Sequence, residues 1–122
     1  VLPGVEVIPE HIFSDCSNVE TVVIMADTVT RIEHNAFRSC KSLKFVKLST
    51  NLEYIGIESF TYCRSLTSVF IPPSCSEIDR YAFYKCRKLI ILSVPQHTEL
   101  GENMIGFTAL DFFTNSYGNN WI

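Results

Sequence analysis

The sequence carries no large excess of either charge: ten Lys and Arg stand against thirteen Asp and Glu, for a net charge of −3. That balance gives no bulk attraction for nucleic acid or an anionic membrane, so neither is expected as a partner. Long apolar runs are absent too. Stretches such as Leu89–Leu92 fall far short of the ~20 residues a spanning helix needs, so no membrane insertion is expected within this segment. No basic stretch followed by a long apolar one marks a secretory signal near Val1, although the missing initiator Met leaves room for a removed leader. None of the seven Asn opens an Asn-x-Ser/Thr acceptor. No Cys-x-x-Cys or zinc spacing occurs, nor a His-Glu-x-x-His, Gly-x-Ser-x-Gly or Gly-x-Gly-x-x-Gly string. Metal, cofactor and the commonest catalytic chemistries are therefore not expected.

What is present is an ordinary globular composition, 47% hydrophobic and 19% charged, which argues against disorder and low complexity. The 122 residues are about one domain's worth. Within them the chain repeats itself. Cys16, Cys40, Cys63 and Cys86 are separated by 24, 23 and 23 residues, and columns line up behind them. Three residues after each Cys stands Val19, Leu43, Leu66 or Leu89; three further on come Val22, Val46, Val69 and Leu92, and two beyond those Ile24, Leu48, Ile71 and Val94. A turn then leads to Ile32, Ile55 and Ile78, each five residues ahead of Phe37, Phe60 or Phe83, with the small residues Ala36, Ser59 and Ala82 just before the Phe. A half unit (1–15) precedes four units (16–39, 40–62, 63–85 and 86–107). In the last of them Leu100, Met104, Ile105 and, just beyond, Thr108 continue the columns in decayed form.

This pattern predicts a solenoid forming a single domain over 1–122. The L-x-x-V-x-L segment has the spacing of a short strand with its apolar residues inward, and Pro72 and Pro95 close the strands of the third and fourth units. No single unit can bury its own apolar edge, so units must stack, pairing equivalent strands in parallel ~4.8 Å apart. The small-Phe-x-x-Cys segment is expected to be one helical or 3₁₀ turn on the opposite face.

The motif C-x-x-L-x-x-V-x-L-P followed by I-x-x-x-A-F-x-x-C resembles the BspA-like leucine-rich repeats, the Treponema pallidum type, across roughly residues 8 to 110. The first unit departs with Val19 for Leu and Met25-Ala26-Asp27 for the Pro turn, and the last with Ile105 and Thr108 in the Phe and Cys columns. Residues 108–122 have no counterpart and are expected to cap the core through Phe112, Phe113 and Trp121. The resemblance implies an α/β repeat: a right-handed leucine-rich-repeat solenoid with a short parallel β-sheet on the concave face and helical turns on the convex face. It also implies adhesion or other protein binding by a cell-surface or secreted protein.

The stretch Arg80–Leu89 places Cys86 among Lys85, Arg87 and Lys88, neighbours that could activate a thiol. The repeat points instead to a ladder of inward, unreactive thiols, because equivalent side chains point the same way rather than at one another. Cys75 shares an apolar turn column with Leu52 and is expected to be buried as well. His11 and His34, beside Glu10 and Glu33, are read as solvated loop residues. Lys41, Arg64 and Arg87 follow the Cys column either as a basic strip for an acidic partner or as cations at the ends of helical turns, the second being preferred. Function is sought on the outward strand positions. Thr21, Phe45, Ser68 and Ile91 form one row and Val23, Lys47, Phe70 and Ser93 the next, and Val23, Phe45, Lys47, Phe70 and Ile91 make a candidate protein-binding patch. A non-catalytic binding module is the expectation, with a structural spacer in a longer repeat protein and a thiol-dependent enzyme as alternatives. Exposed end strands could also pair edge to edge into a homodimer.

Overall fold

The computed structural model describes residues 6–24 and 27–110; the expected cap residues Phe112, Phe113 and Trp121, and the Met25-Ala26 turn, lie outside them. Among the described residues nine short strands follow one another: β1 (Val7–Ile8), β2 (Thr21–Val23), β3 (Arg31–Ile32), β4 (Phe45–Lys47), β5 (Tyr54–Ile55), β6 (Ser68–Phe70), β7 (Glu77–Ile78), β8 (Ile91–Ser93) and β9 (Glu99–Leu100). The even strands form one four-stranded sheet, β2-β4-β6-β8, and the odd strands a second five-stranded sheet, β1-β3-β5-β7-β9. Every pair is parallel. Each unit thus adds one rung to both sheets, and the chain coils as a parallel β-solenoid.

The registers follow the sequence columns. Val22 pairs with Val46 and Val69 with Leu92, while Ile8, Ile32, Ile55, Ile78 and Leu100 run in line through the other sheet. Stacking like on like fills the space between the sheets with Leu43, Leu66 and Leu89, Val46, Val69 and Leu92, and the Ile column, all buried. Phe13, Phe37, Phe60 and Phe83 form a column of their own, with ring centroids 5.2, 5.0 and 5.2 Å apart and planes within 14° of parallel. At that offset-stacking distance each ring pair adds about 0.5–1.5 kcal/mol beyond area burial.

Two expectations are corrected. The second sheet was not foreseen: the Ile column is itself a ladder, and the described fold is β throughout its rungs rather than α/β. The small-Phe-x-x-Cys segments also form neither α-helix nor 3₁₀-helix. Each contains two residues of left-handed backbone four apart: His11 and Asp15, Asn35 and Ser39, Glu58 and Tyr62, Tyr81 and Lys85, Asn103 and Phe107, with φ between 51° and 63°. A left-handed residue reverses the local helical course, so the segment advances as successive tight turns. The Cys40 amide, for example, donates to the Phe37 carbonyl at 3.3 Å. The amides thereby released donate onward to the next rung: Phe13 to Ala36, Phe37 to Ser59, Phe60 to Ala82 and Phe83 to Met104, at 2.8–2.9 Å. Along the odd-stranded sheet donation runs the other way, as from the Gly56 amide to the Ile32 carbonyl at 2.8 Å, while beside the four-stranded sheet Ile24 and Ile71 donate forward to Lys47 and Ser93 at 2.9 Å. Every rung is therefore bonded to both neighbours.

Beside the Ile column two glycines let the rungs approach closely. A Cβ at Gly56 would stand 2.8 Å from the Glu33 carbonyl carbon and the His34 nitrogen, and one at Gly101 would stand 2.5 Å from the Asp79 carbonyl carbon. Glycine is required at both positions by the backbone of the preceding rung.

Candidate functional site

Strand alternation decides what the four-stranded sheet shows to solvent. Val46, Val69 and Leu92 point inward and are buried, so the residues on either side of them must point out. In the first outer row Thr21 pairs with Phe45, Phe45 with Ser68, and Ser68 with Ile91; in the second Val23 pairs with Lys47, and Phe70 with Ser93. Parallel pairing thus brings the five candidate residues Val23, Phe45, Lys47, Phe70 and Ile91 onto one face, although 68 residues separate the first from the last. The apolar four are well exposed: Val23 at 42%, Phe45 at 36%, Phe70 at 55% and Ile91 at 47%. Lys47 is exposed beside them, and Ile90 adjoins the face at 52%. None of these side chains contributes to the space between the sheets, where folding draws its apolar burial.

The cysteines form a different kind of column. Cys40, Cys63, Cys75 and Cys86 are buried and Cys16 is half-buried; all five are free thiols. Three thiols donate backwards across the rungs to the Phe column's carbonyls: Cys40 to Phe13 at 3.1 Å, Cys63 to Phe37 at 3.2 Å and Cys86 to Phe60 at 3.0 Å. The neighbouring Cys63 thiol first, and then desolvation, hold Cys40 well above the ordinary thiol range. Desolvation pushes Cys75 up to about 11. For Cys86 the sulfur lies inside the coil while Arg87 and Lys88 are exposed outside it, so those neighbours do not form an activating pocket.

The histidines separate. His11 is exposed, as expected, and so is His97, but His34, also expected to be solvated, is half-buried and lies 3.2 Å from the Tyr54 hydroxyl. That hydroxyl donates to Asp79 at 2.7 Å, and Asp79 also accepts the Arg80 amide at 2.7 Å. With the Tyr54 proton committed to Asp79, the His34 nitrogen is the donor to the tyrosine oxygen. Arg31 lies 4.2 Å above the Tyr54 ring and is paired with Glu33 at 2.9 Å. Desolvation, then the bond to Asp79, holds the Tyr54 hydroxyl above its usual range. This network joins three successive rungs across the odd-stranded sheet. Sequence reading missed it, because Tyr54 and Asp79 occupy columns whose neighbours in other units are unrelated in type.

The basic residues after the Cys column do not sit at helix ends, since no helix forms there. Lys85 has its own surroundings: it donates to the Tyr62 hydroxyl at 3.1 Å and lies 5.1, 5.5 and 5.7 Å from the ring centres of Tyr62, Tyr84 and Phe107. That bond and charge lower the Tyr62 pKa. Lys41, Arg64, Arg87 and Lys88 are exposed on the turns that feed the four-stranded sheet. Among the described residues no cluster of His, Cys, Asp and Glu is arranged to hold a metal ion, and no helix is long and apolar enough to cross a membrane.

Comparison with known proteins agrees with this geometry. A family model described as a BspA type leucine rich repeat region, with six copies, matches residues 6–120. Among solved structures, a leucine-rich repeat protein from Bacteroides ovatus aligns with a TM-score of 0.67 at 24% identity, covering 85% of this chain and 35% of that one. A leucine rich cell surface protein from Faecalibacterium prausnitzii aligns with a TM-score of 0.74 at 25% identity, covering 84% of this chain and 30% of that one. The chain thus spans about a third of the length of either protein. No curated protein matches it.

Proposed function

The chain belongs to the BspA-type leucine-rich-repeat family, and from that premise we propose that it is a non-catalytic protein-binding module whose ligand lies across the outer face of the four-stranded sheet. One observation carries the reading. Val23, Phe45, Phe70 and Ile91 are exposed together on a face whose strands are already held by the core behind them. Clustered apolar side chains left in water cost solubility and do not stabilise the fold, and such clusters mark interaction surfaces. Two Phe rings also supply the large, rigid contact area typical of residues that dominate binding energy. A place at the cell surface, and a role in adhesion, belong to the same proposal; the cell-surface description of the Faecalibacterium protein supports the first.

The test uses peptides displayed on phage and selected on the folded domain. The Phe45→Ser/Phe70→Ser double variant should lose affinity by about thirtyfold, the equivalent of a hot-spot loss of ~2 kcal/mol. Its melting temperature should not fall, because neither ring is in the core. Peptides that bind the variant as well as they bind the parent would refute the reading. A domain that captures no peptide and only self-associates in sedimentation would move the assignment to edge-to-edge assembly.

A further inference from the structure

From its second full unit onward the solenoid sorts its charges by sheet; in the first unit Glu20 stands beside β2 and Arg31 lies in β3. Residues 40–49, 63–71 and 86–94, which run from the Cys column through β4, β6 and β8, carry six cations and no carboxylate. These are Lys41, Lys44, Lys47, Arg64, Arg87 and Lys88, all exposed. The matching segments through the odd-stranded sheet, 52–58, 75–81 and 97–103, carry six carboxylates and one cation, Arg80. A net charge of −3 conceals this division.

The cations are largely without internal partners. Lys44 pairs with Glu20 at 2.9 Å with both side chains well exposed, and among the described residues no ion pair involves the other five. Lys41, Arg64 and Arg87 also occupy one column on successive rungs, about a strand spacing (~4.8 Å) apart along the stack. Like charges at that spacing repel. A helix terminus would have given them a structural purpose, but the turn that precedes them is not helical. Lys47 stands two residues beyond Phe45 on the same outer face, so the positive charge continues into the apolar patch.

Resting on the reading of that face as a protein-binding surface, we propose that its ligand is an acidic polypeptide segment. The ligand's Asp and Glu side chains meet the cations at the sheet's margin while its apolar side chains seat on Phe45, Phe70 and Ile91. A nucleic acid or sulfated polysaccharide would use the cations and leave the exposed Phe and Ile idle; an acidic peptide with apolar anchors uses both. The long-range charge contributes mainly to association rate and to selection between partners, and the apolar contacts to residence time.

Two labelled synthetic peptides test this, identical in their Phe and Leu positions but carrying Glu in one and Lys in the other at the intervening positions. Heparin is the third probe. The acidic peptide should bind, weaken about tenfold in the Lys47→Glu/Arg64→Glu/Arg87→Glu variant, and weaken likewise in the parent as salt rises. It should also weaken in the Phe45→Ser/Phe70→Ser variant, while the Lys twin stays unbound throughout. Equal binding of the two peptides, both lost with the Phe pair, overturns the charge inference and leaves the protein-binding reading standing. Peptide binding indifferent to the Phe pair, or no binding of either peptide, overturns both. Heparin binding that is lost on charge reversal but not with the Phe pair, together with no peptide binding, overturns the inference in favour of a polyanion. The salt titration needs no variant, so a misfolded substitution does not block the test.

Discussion

Ser59→Ala should stabilise the protein. Ser59 occupies the small-residue column between Ala36 and Ala82, wholly buried, and its hydroxyl has no hydrogen-bond partner among the described residues. Other buried hydroxyls are bonded: Thr61 donates to the Tyr81 carbonyl, Thr98 to the Cys75 carbonyl at 2.8 Å and Thr108 to the Ile105 carbonyl at 2.8 Å. An unmade hydrogen bond of this kind costs ~1–3 kcal/mol of desolvation. The space vacated by one oxygen costs only a few tenths of a kcal/mol on the cavity scale. The net expectation is a gain of about 1 kcal/mol, seen as a rise of about 4 °C in the melting temperature. In urea the midpoint should move up with no change in slope. The converse substitutions, Ala36→Ser and Ala82→Ser, should each lose a similar amount. A Ser59→Ala variant less stable than the parent would show that the hydroxyl makes a bond worth more than its desolvation, and the column argument would fail with it.

The Phe column makes a positional prediction. Phe60→Ala, with a ring stacked on each side, should cost ~3–5 kcal/mol in chemical denaturation, a large part of a typical domain's total stability. Phe13→Ala, half-exposed with one stacked neighbour, should cost well under half of that, and equal losses would refute the ladder. Iodoacetamide at mildly alkaline pH should label Cys16 alone in the native state, with Cys40, Cys63, Cys75 and Cys86 appearing in mass spectra only after unfolding; native labelling at Cys86 would reopen the thiol-enzyme reading. Stability should also fall with rising pH at the alkaline end. Below the unfolded thiol's value of ~8.5 the contribution of Cys75 is fully present; above it the unfolded chain loses a proton that the fold retains, until the folded value of about 11 is passed. Cys75→Ala should flatten that slope in urea titrations from pH 8 to 11, and an unchanged slope would sink the assignment.

What could be read from sequence was whatever the stack enforces by repetition. Val22, Val46, Val69 and Leu92 must lie in register because each is the others' apolar cover, and alternation about them then dictates that Phe45 and Phe70 face out. The odd-stranded sheet escaped notice because two-residue strands are too short to show a period. The turns escaped for another reason: Tyr62, Lys85 and Phe107 are residue types that ordinarily avoid positive φ, so nothing in their identity announces left-handed backbone. At Tyr62 and Lys85 the next rung holds that conformation, accepting their amides at the Tyr84 and Gly106 carbonyls. His34, Tyr54 and Asp79 were invisible because they meet only across rungs, at positions where the units differ.

Because each rung is bonded to the one before and the one after, such a chain can change length by whole turns. A rung presents to its successor the same carbonyls, the same ring and the same thiol acceptor that it met in its predecessor. An added or deleted turn therefore finds ready-made mates above and below, and no other contact needs redesign. Only aperiodic features give a rung an address: the tyrosine joining His34 to Asp79, the close backbone passage over Gly56 and Gly101, and the outward residues of the four-stranded sheet. The first two tie particular rungs together and resist shuffling. The third is free of that constraint, so the surface on which recognition is proposed is also the one that can diversify without disturbing the stack.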